Sequence, residues 1–257
     1  MGSSARAKNE GGPTQRLAID PGRVDTCGRP AHVPGMTDEA EAPPRVIEGG
    51  PLRYLLSAPP APGGGLPVLF FLHGYDEAAP MAIDRALTLH GPLRATSRAH
   101  ARGCIVVAPQ LPSAGDVWHR HADDVRRIVA DVQGRHGGDP RRTYLTGFSF
   151  GGNGVFDLAL AQPDLWAALW AVDPTRAPLR PLDHPVWLSF GEIARSRKRH
   201  FMEALGLRDA AADATGDRLG LDLGEDHVGS ATTAYQDPRI YAWLLAHRRQ
   251  DGASRSA

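Results

Sequence analysis

The chain has only two cysteines in 257 residues, Cys27 in a Gly/Pro-rich stretch and Cys104 in an apolar one. That excludes a disulfide framework and fits a reducing compartment, so a cytoplasmic setting is expected. An excess of either charge is also missing, since Lys plus Arg and Asp plus Glu both total 29. Nothing here recruits nucleic acid or an anionic membrane by bulk electrostatics. No apolar run approaches the roughly 20 residues that a membrane helix needs. Met1-Gly-Ser-Ser-Ala-Arg6 is not followed by the apolar core of a signal peptide. Residues 1–44, rich in Gly, Pro, Ala and charge, lack any helix or strand period. They are expected to be a disordered tail, with Met36 a candidate start, and residues 251–257 a second disordered tail. That leaves residues 45–250 for one α/β domain, long enough to bury a substantial core.

What is present in that span is alternation. Residues 45–57 read as two short strands joined at Gly49-Gly50, an antiparallel hairpin at a sheet edge. A Pro/Gly-rich loop covers residues 58–65. Pro67-Val-Leu-Phe-Phe-Leu-His73 and Cys104-Ile-Val-Val-Ala108 are continuously apolar, as strands buried on both faces are. Between them, residues 82–101 carry a loosely amphipathic helical pattern broken at Gly91-Pro92. Residues 122–136 place Val125, Ile128, Val129 and Val132 at helical spacing, with Gly137-Gly138 as terminator. Strands follow at 142–146, 166–172, 185–190 and 219–223, and helices at 152–162, 195–206 and 237–249. Strands alternating with helices, without internal repeats, imply a mostly parallel sheet covered on both faces. In such sheets the working residues gather in loops at the C-terminal strand ends. His73, Ser149, Asp173, Glu192 and His227 all fall there.

The most informative stretch is Thr143-Tyr-Leu-Thr-Gly147-Phe-Ser149-Phe-Gly151-Gly-Asn-Gly154. A buried strand, a glycine-flanked turn carrying one serine and a helix start are the context in which G-x-S-x-G means a nucleophile elbow. The plainer alternative is a glycine-rich strand-to-helix turn with a capping serine. Removing the Ser149 proton needs a base, and histidine is best tuned for that near neutral pH. Of 11 histidines, most are accounted for by helix surfaces, helix ends or the tail. His227 differs, because it follows the last strand in Gly224-Glu-Asp-His-Val-Gly229. An oxyanion needs two converging backbone N–H groups. Phe150 supplies one at the helix N-terminus, and Tyr75 is expected to supply the other from the loop after His73-Gly74. His73 itself is given no proton-transfer role. His119 and His121, in Trp118-His-Arg-His-Ala-Asp-Asp124, suggest a metal cluster. No further His or Asp set stands at zinc spacing, so a loop entering a helix is the simpler reading. No metal and no cofactor is called for.

Phe71-Leu-His-Gly74, Leu89-His-Gly-Pro92, Val107-Ala-Pro-Gln110, Tyr144-Leu-Thr-Gly-Phe-Ser-Phe-Gly-Gly152 and Asp237-Pro-Arg-Ile-Tyr-Ala-Trp-Leu-Leu245 resemble the dienelactone-hydrolase-like, polyhydroxybutyrate-depolymerase-like carboxylesterases of the α/β-hydrolase superfamily. The resemblance runs from about residue 67 to 249. It implies an α/β-hydrolase fold, Ser149 as nucleophile and His227 as base. It also implies an acid in the loop after strand 186–190, and here the sequence departs from the pattern. Ala194 stands where the aspartate belongs, within Gly191-Glu-Ile-Ala194, and about three following residues are missing. Asp173 is the preferred acid, because some lipases of the superfamily carry theirs one strand earlier. Glu192 is the alternative, and Glu225 or Asp226 are further ones. An Asp before Pro174 is also an ordinary turn residue.

These residues point to a serine hydrolase that cleaves an ester or thioester through an acyl-enzyme. Tyr75, Gln110 and Trp118 are expected to line the pocket for a small acyl substrate. Two alternatives share the elbow: an acyltransferase or cyclase, and a binding protein whose triad has decayed.

Overall fold

The computed structural model describes residues 42–59, 64–210 and 215–250. The expected tails, apart from residues 42–44, lie outside the described residues, as do Cys27 and residues 60–63 of the Pro/Gly-rich loop. The strands are β1 (Arg45–Ile47), β2 (Tyr54–Ser57), β3 (Leu66–Leu72), β4 (Ile105–Pro109), β5 (Gly138–Phe148), β6 (Ala168–Val172), β7 (Val186–Phe190), β8 (Arg208–Asp209) and β9 (Arg218–Asp222). Among the described residues they form one sheet in the order β1-β2-β4-β3-β5-β6-β7-β9-β8. β2 pairs antiparallel with β1 and β4, and every other pair is parallel.

The period of two along each strand divides the core. Val68, Phe70 and Leu72 join one apolar cluster, whereas Leu69 and Phe71 join another. The first cluster takes in Val125, Ile128, Val129 and Val132 of α2 (Ala122–Arg135), Val155, Phe156 and Leu158 of α3 (Phe150–Ala161) and Phe201 and Leu205 of α5 (Lys198–Leu205). The second takes in Ile83, Ala86 and Leu87 of α1 (Ile83–Leu89), Ala231 and Ala234 of α6 (His227–Ala234) and Ile240, Trp243 and Leu244 of α7 (Pro238–Ala246). A sheet covered on both faces explains why the central strands are apolar throughout.

Several local expectations are revised. The pattern over 82–101 is not one helix. α1 stops at Leu89, Gly91 turns with φ +82°, and a 3-10 turn spans Arg98–Ala101. A side chain at Gly91 would overlap the Phe71 ring. Gly138 does not end the preceding helix but opens β5, with an irregular register against β3 between Leu66 and Val68. The segment 195–206 is two pieces, α4 (Glu192–Arg195) and α5. The loop expected around His227 is instead the start of α6, capped by Asp226, whose carboxylate accepts the Gly229 N–H. Its glycine, serine and two threonines hid the helical period.

Candidate active site

β5 lies between β3 and β6, so the loops leaving these three strands meet at one end of the sheet. β4 and β6 extend the sheet in opposite directions from β3 and β5, which makes this the crevice where open α/β sheets bind ligands. Ser149 follows β5 directly, with φ 55° and ψ −114°. A non-glycine residue there costs on the order of 1–3 kcal/mol and is held by its surroundings. Its N–H donates to the Val172 carbonyl at 2.9 Å, which ties the turn to β6. A Cβ at Gly147 would overlap the Gly151 carbonyl, and one at Gly151 would overlap the carbonyls of Leu72 and His73. Helix α3 therefore leaves the turn in contact with β3. The side chain at position 149 is thrust out at the strand end.

The His227 ring stands between Ser149 and Asp173. Its Nε2 is 2.8 Å from Ser149 Oγ and its Nδ1 is 2.5 Å from Asp173 Oδ2. Asp173 is fully buried and ends β6 with φ 42°, a second strained residue. Its Oδ1 accepts the main-chain N–H groups of Gly191 and Ala194, each at 3.0 Å. These N–H groups come from the start of α4, so a buried carboxylate is met by two donors and an imidazole. A side chain at Gly191 would crowd Ser230 and Asp173 Oδ2 alike. The segment in which Ala194 replaces the anticipated aspartate thus serves the carboxylate one strand away. Glu192 is exposed. With Asp173 on Nδ1 and Ser149 on Nε2, both ring nitrogens of His227 have a partner and neither is Glu192. Asp226 is used as the cap of α6, and Glu225 is exposed.

On the other side of Ser149, Tyr75 sits 51% exposed on the loop after β3, its ring edge-on to Phe150 at 5.7 Å. Phe150 opens α3, where first-turn N–H groups have no intrahelical acceptor. Phe150 follows Ser149 in the chain, and the Tyr75 ring lies against it. His73 is buried, with Leu111 N–H donating to its Nε2 at 3.0 Å, so Nδ1 carries the proton and donates to the Gly74 carbonyl at 2.6 Å. Burial pushes its pKa down to about 4. Gln110 and Trp118 are not at the cleft surface. Gln110, 1% exposed, donates to the carbonyls of Glu77 and Met81 and accepts from Arg53. Trp118, also 1% exposed, packs where a Cβ at Gly154 would overlap it, and its Nε1 reaches the His73 carbonyl at 3.4 Å. Both brace the loops beneath the site, which corrects their expected place in the pocket.

Asn153 was not singled out from sequence. It is buried on α3, donates to Thr175 Oγ1 at 2.7 Å and accepts from the N–H groups of Thr175 and Arg176. It clips the turn after Asp173 to the helix after Ser149. Its signal was an amide between glycines, Gly152-Asn-Gly154, where helix propensity is poor. His119 and His121 part company. His121 bridges Asp116 (2.7 Å) and Asp124 (2.9 Å), while His119 is half exposed and 3.9 Å from Asp157. Among the described residues no group of three or more His, Cys, Asp or Glu is placed to hold a metal ion.

The sequence matches no known family profile and no curated protein. Solved structures do match it. A thermostable esterase superposes with TM-score 0.60 at 20% identity, over 80% of this chain and 62% of that one, so the chain spans less than two thirds of that protein's length. The feruloyl esterase module of Clostridium thermocellum, bound to sinapinate, gives 0.59 at 13% identity over 81% and 91%. An S-formylglutathione hydrolase from Agrobacterium tumefaciens gives 0.52 at 15% over 76% and 90%. The chain has the α/β-hydrolase fold. In the α/β-hydrolase fold the order serine, acid, histidine along the chain is the order of Ser149, Asp173 and His227 here.

Proposed function

We propose that the protein is a serine hydrolase that cleaves an ester or thioester of a small acyl substrate. The observation that carries this reading is His227 in hydrogen-bonding distance of both Ser149 Oγ and a buried carboxylate, on three separate strand ends. Asp173 orients the ring so that Nδ1 keeps its proton and Nε2 is free to take the one on Ser149. Ser149 Oγ attacks the acyl carbon as that proton moves to Nε2, and the tetrahedral oxyanion faces the N–H groups of Phe150 and Tyr75. The imidazolium returns the proton to the departing alcohol or thiol. A water activated by His227 then attacks the acyl-enzyme and releases the acid. The esterase and thioester hydrolase neighbours support this class of reaction and leave the acyl group open. Asp173, braced by Gly191 and Ala194, argues against a decayed binding protein, whereas an acyltransferase or cyclase would use the same three residues and differ only in the acceptor. A cytoplasmic setting fits the free, buried thiol of Cys104, and no described helix is long and apolar enough to cross a membrane.

A fluorophosphonate probe tests the proposal. Ser149 is expected to be labelled, and Ser149→Ala to lose both labelling and at least about 10³-fold of p-nitrophenyl acetate hydrolysis. A correctly folded parent protein that is neither labelled nor active would refute it.

A further inference from the structure

Two buried titratable groups beside the site have no part in the chemistry above. Glu77, 7% exposed, lies on the loop after β3, two residues beyond Tyr75. His90, in the otherwise unexplained Leu89-His-Gly-Pro92, faces it with Nε2 3.5 Å from Glu77 Oε1. That spacing permits charge–dipole attraction and at best a long hydrogen bond. Glu77 Oε2 and His90 Nδ1 are both buried without a hydrogen-bond partner among the described residues. Oε2 rests against Gly74, where an added Cβ would stand 2.8 Å away. His73 is 3.9 Å from Oε2, but its Nδ1 proton already goes to the Gly74 carbonyl. The His90 ring packs on Phe148 at 4.9 Å, and Phe148 packs on His227 at 4.8 Å. One phenyl ring thus separates the two imidazoles.

Leaving a carboxylate in such a place is costly, because burial disfavours its charged form. Burial indeed raises the pKa of Glu77 and Asp76 adds to the rise, against the main-chain N–H groups of Glu77 and Gly74 and the charge of His227. Burial, Arg94 and His227 all lower the pKa of His90, which disfavours the positive charge that would pair with Glu77. The charged and titratable groups around Glu77 are therefore Asp76 on its own loop, His73 on β3, His90 after α1 with Arg94 beyond it, and His227 on α6.

We propose that Glu77, with His90, is a positioning residue of this site: its carboxylate buttresses the Gly74–Tyr75 turn and sets a negative charge that favours the imidazolium form of His227. This rests on the hydrolase reading of Ser149, His227 and Asp173. Glu77 touches no reacting atom and acts through the turn and through His227. Its folded-state pKa is raised, so the unfolded chain loses the Glu77 proton first as pH rises, and the folded state is penalised from there upward. Glu77→Gln removes that penalty and the charge together.

The test is an NMR titration of the His227 imidazole in the full chain and in Glu77→Gln, with thermal unfolding at pH 4 and pH 8. His227 is expected to titrate about half a pH unit lower in Glu77→Gln, the loss of one charge at several ångströms in a partly screened medium. Glu77→Asp, which keeps the charge, is expected to restore most of the shift. In turnover, kcat falls about three- to tenfold with KM within about twofold, the pattern of a lost transition-state interaction. Glu77→Gln should be at least as stable as the parent at pH 8, with the difference closing toward pH 4. An unmoved His227 titration, or Glu77→Gln that is less stable or unfolded at pH 8, would mean that Glu77 only packs. The titration needs no substrate, so it decides this point even if the parent hydrolyses no ester.

Discussion

Two histidine–carboxyl pairs flank Phe148, and they are built on opposite plans. In His227–Asp173 the carboxylate is fully buried yet completely served, by an imidazole at 2.5 Å and two main-chain N–H groups at 3.0 Å. In His90–Glu77 the closest approach is 3.5 Å and one polar atom of each group is left over: Glu77 Oε2 and His90 Nδ1 have no hydrogen-bond partner among the described residues. The first pair compensates the desolvation of its charge locally. The second leaves much of that cost in place. A buried carboxylate with its donors in hand can fix the geometry of a ring. One only partly served acts mainly through its field, and its ionisation is the adjustable quantity.

The sharpest break in that contrast is Asp173→Asn. The amide keeps the shape but stabilises the wrong His227 tautomer, and a fall of about 10⁴ in kcat is expected, as in serine proteases that lose this carboxylate. Glu192→Ala, on the exposed side of the same turn, should stay within about twofold of the parent. If the two variants lost similar activity in a steady-state assay, Asp173 would not be the orienting acid. Next comes Gly191→Ala. Its methyl would stand 2.8 Å from Asp173 Oδ2 and closer still to Ser230, so the turn must shift and carry its N–H away from Oδ1. A loss of about 10- to 100-fold in kcat is expected, since small misplacements of a positioned group cost that much. Unfolding should be eased by about 1–3 kcal/mol, the range for overpacking a well-filled site. Denaturant titration beside the rate measurement separates the two effects.

How much of this could be read along the chain follows from how local each feature is. The Ser149 turn is specified by residues within three positions of it, strand before, glycines around, helix after, so its geometry was legible. The parallel core strands were legible too, because burial on both faces forces apolar runs at Phe70–Phe71 and Ile105–Val107. The acid was legible only as a choice. What favours Asp173 is its place directly after β6, beside a turn from β7 that offers N–H groups, and a gap in that turn looks in sequence like a defect. Gln110 and Trp118 misled for a related reason: loop residues at the working end of a sheet face either the cleft or the layer beneath it, and no spacing rule distinguishes them. Glu77 and Asn153 left little signal. One of two adjacent acids in His73-Gly-Tyr-Asp-Glu77 and an amide between glycines acquire meaning only from groups 13 and 22 positions away, His90 and Thr175.

The smallest expected effect comes from a third imidazole, His121, which carries the contrast to the protein surface. It bridges two carboxylates, Asp116 and Asp124, and all three side chains are only partly exposed. Burial lowers its pKa, but the hydrogen bonds to the two aspartates outweigh this and the net shift is upward. The stability it contributes is therefore complete below the unfolded histidine value of about 6.5 and is lost as pH rises through its higher folded value. Asp116, lowered chiefly by its hydrogen bond with His121, contributes in the opposite sense. Its share is present above the unfolded carboxyl value of about 4 and disappears as pH falls through the lower folded one. The cluster is thus worth most between about pH 4 and 6.5. His121→Gln should lower stability by about 1 kcal/mol at pH 5.5, the net worth of a typical hydrogen bond, and by a smaller margin at pH 9. The catalytic rate at pH 8 should be nearly unchanged, because Asp116 and Asp124 do not reach His227, whose Nδ1 is taken by Asp173. A pH-independent stability loss would show that the loop around Gly115, and not the shared proton, is what His121 supports.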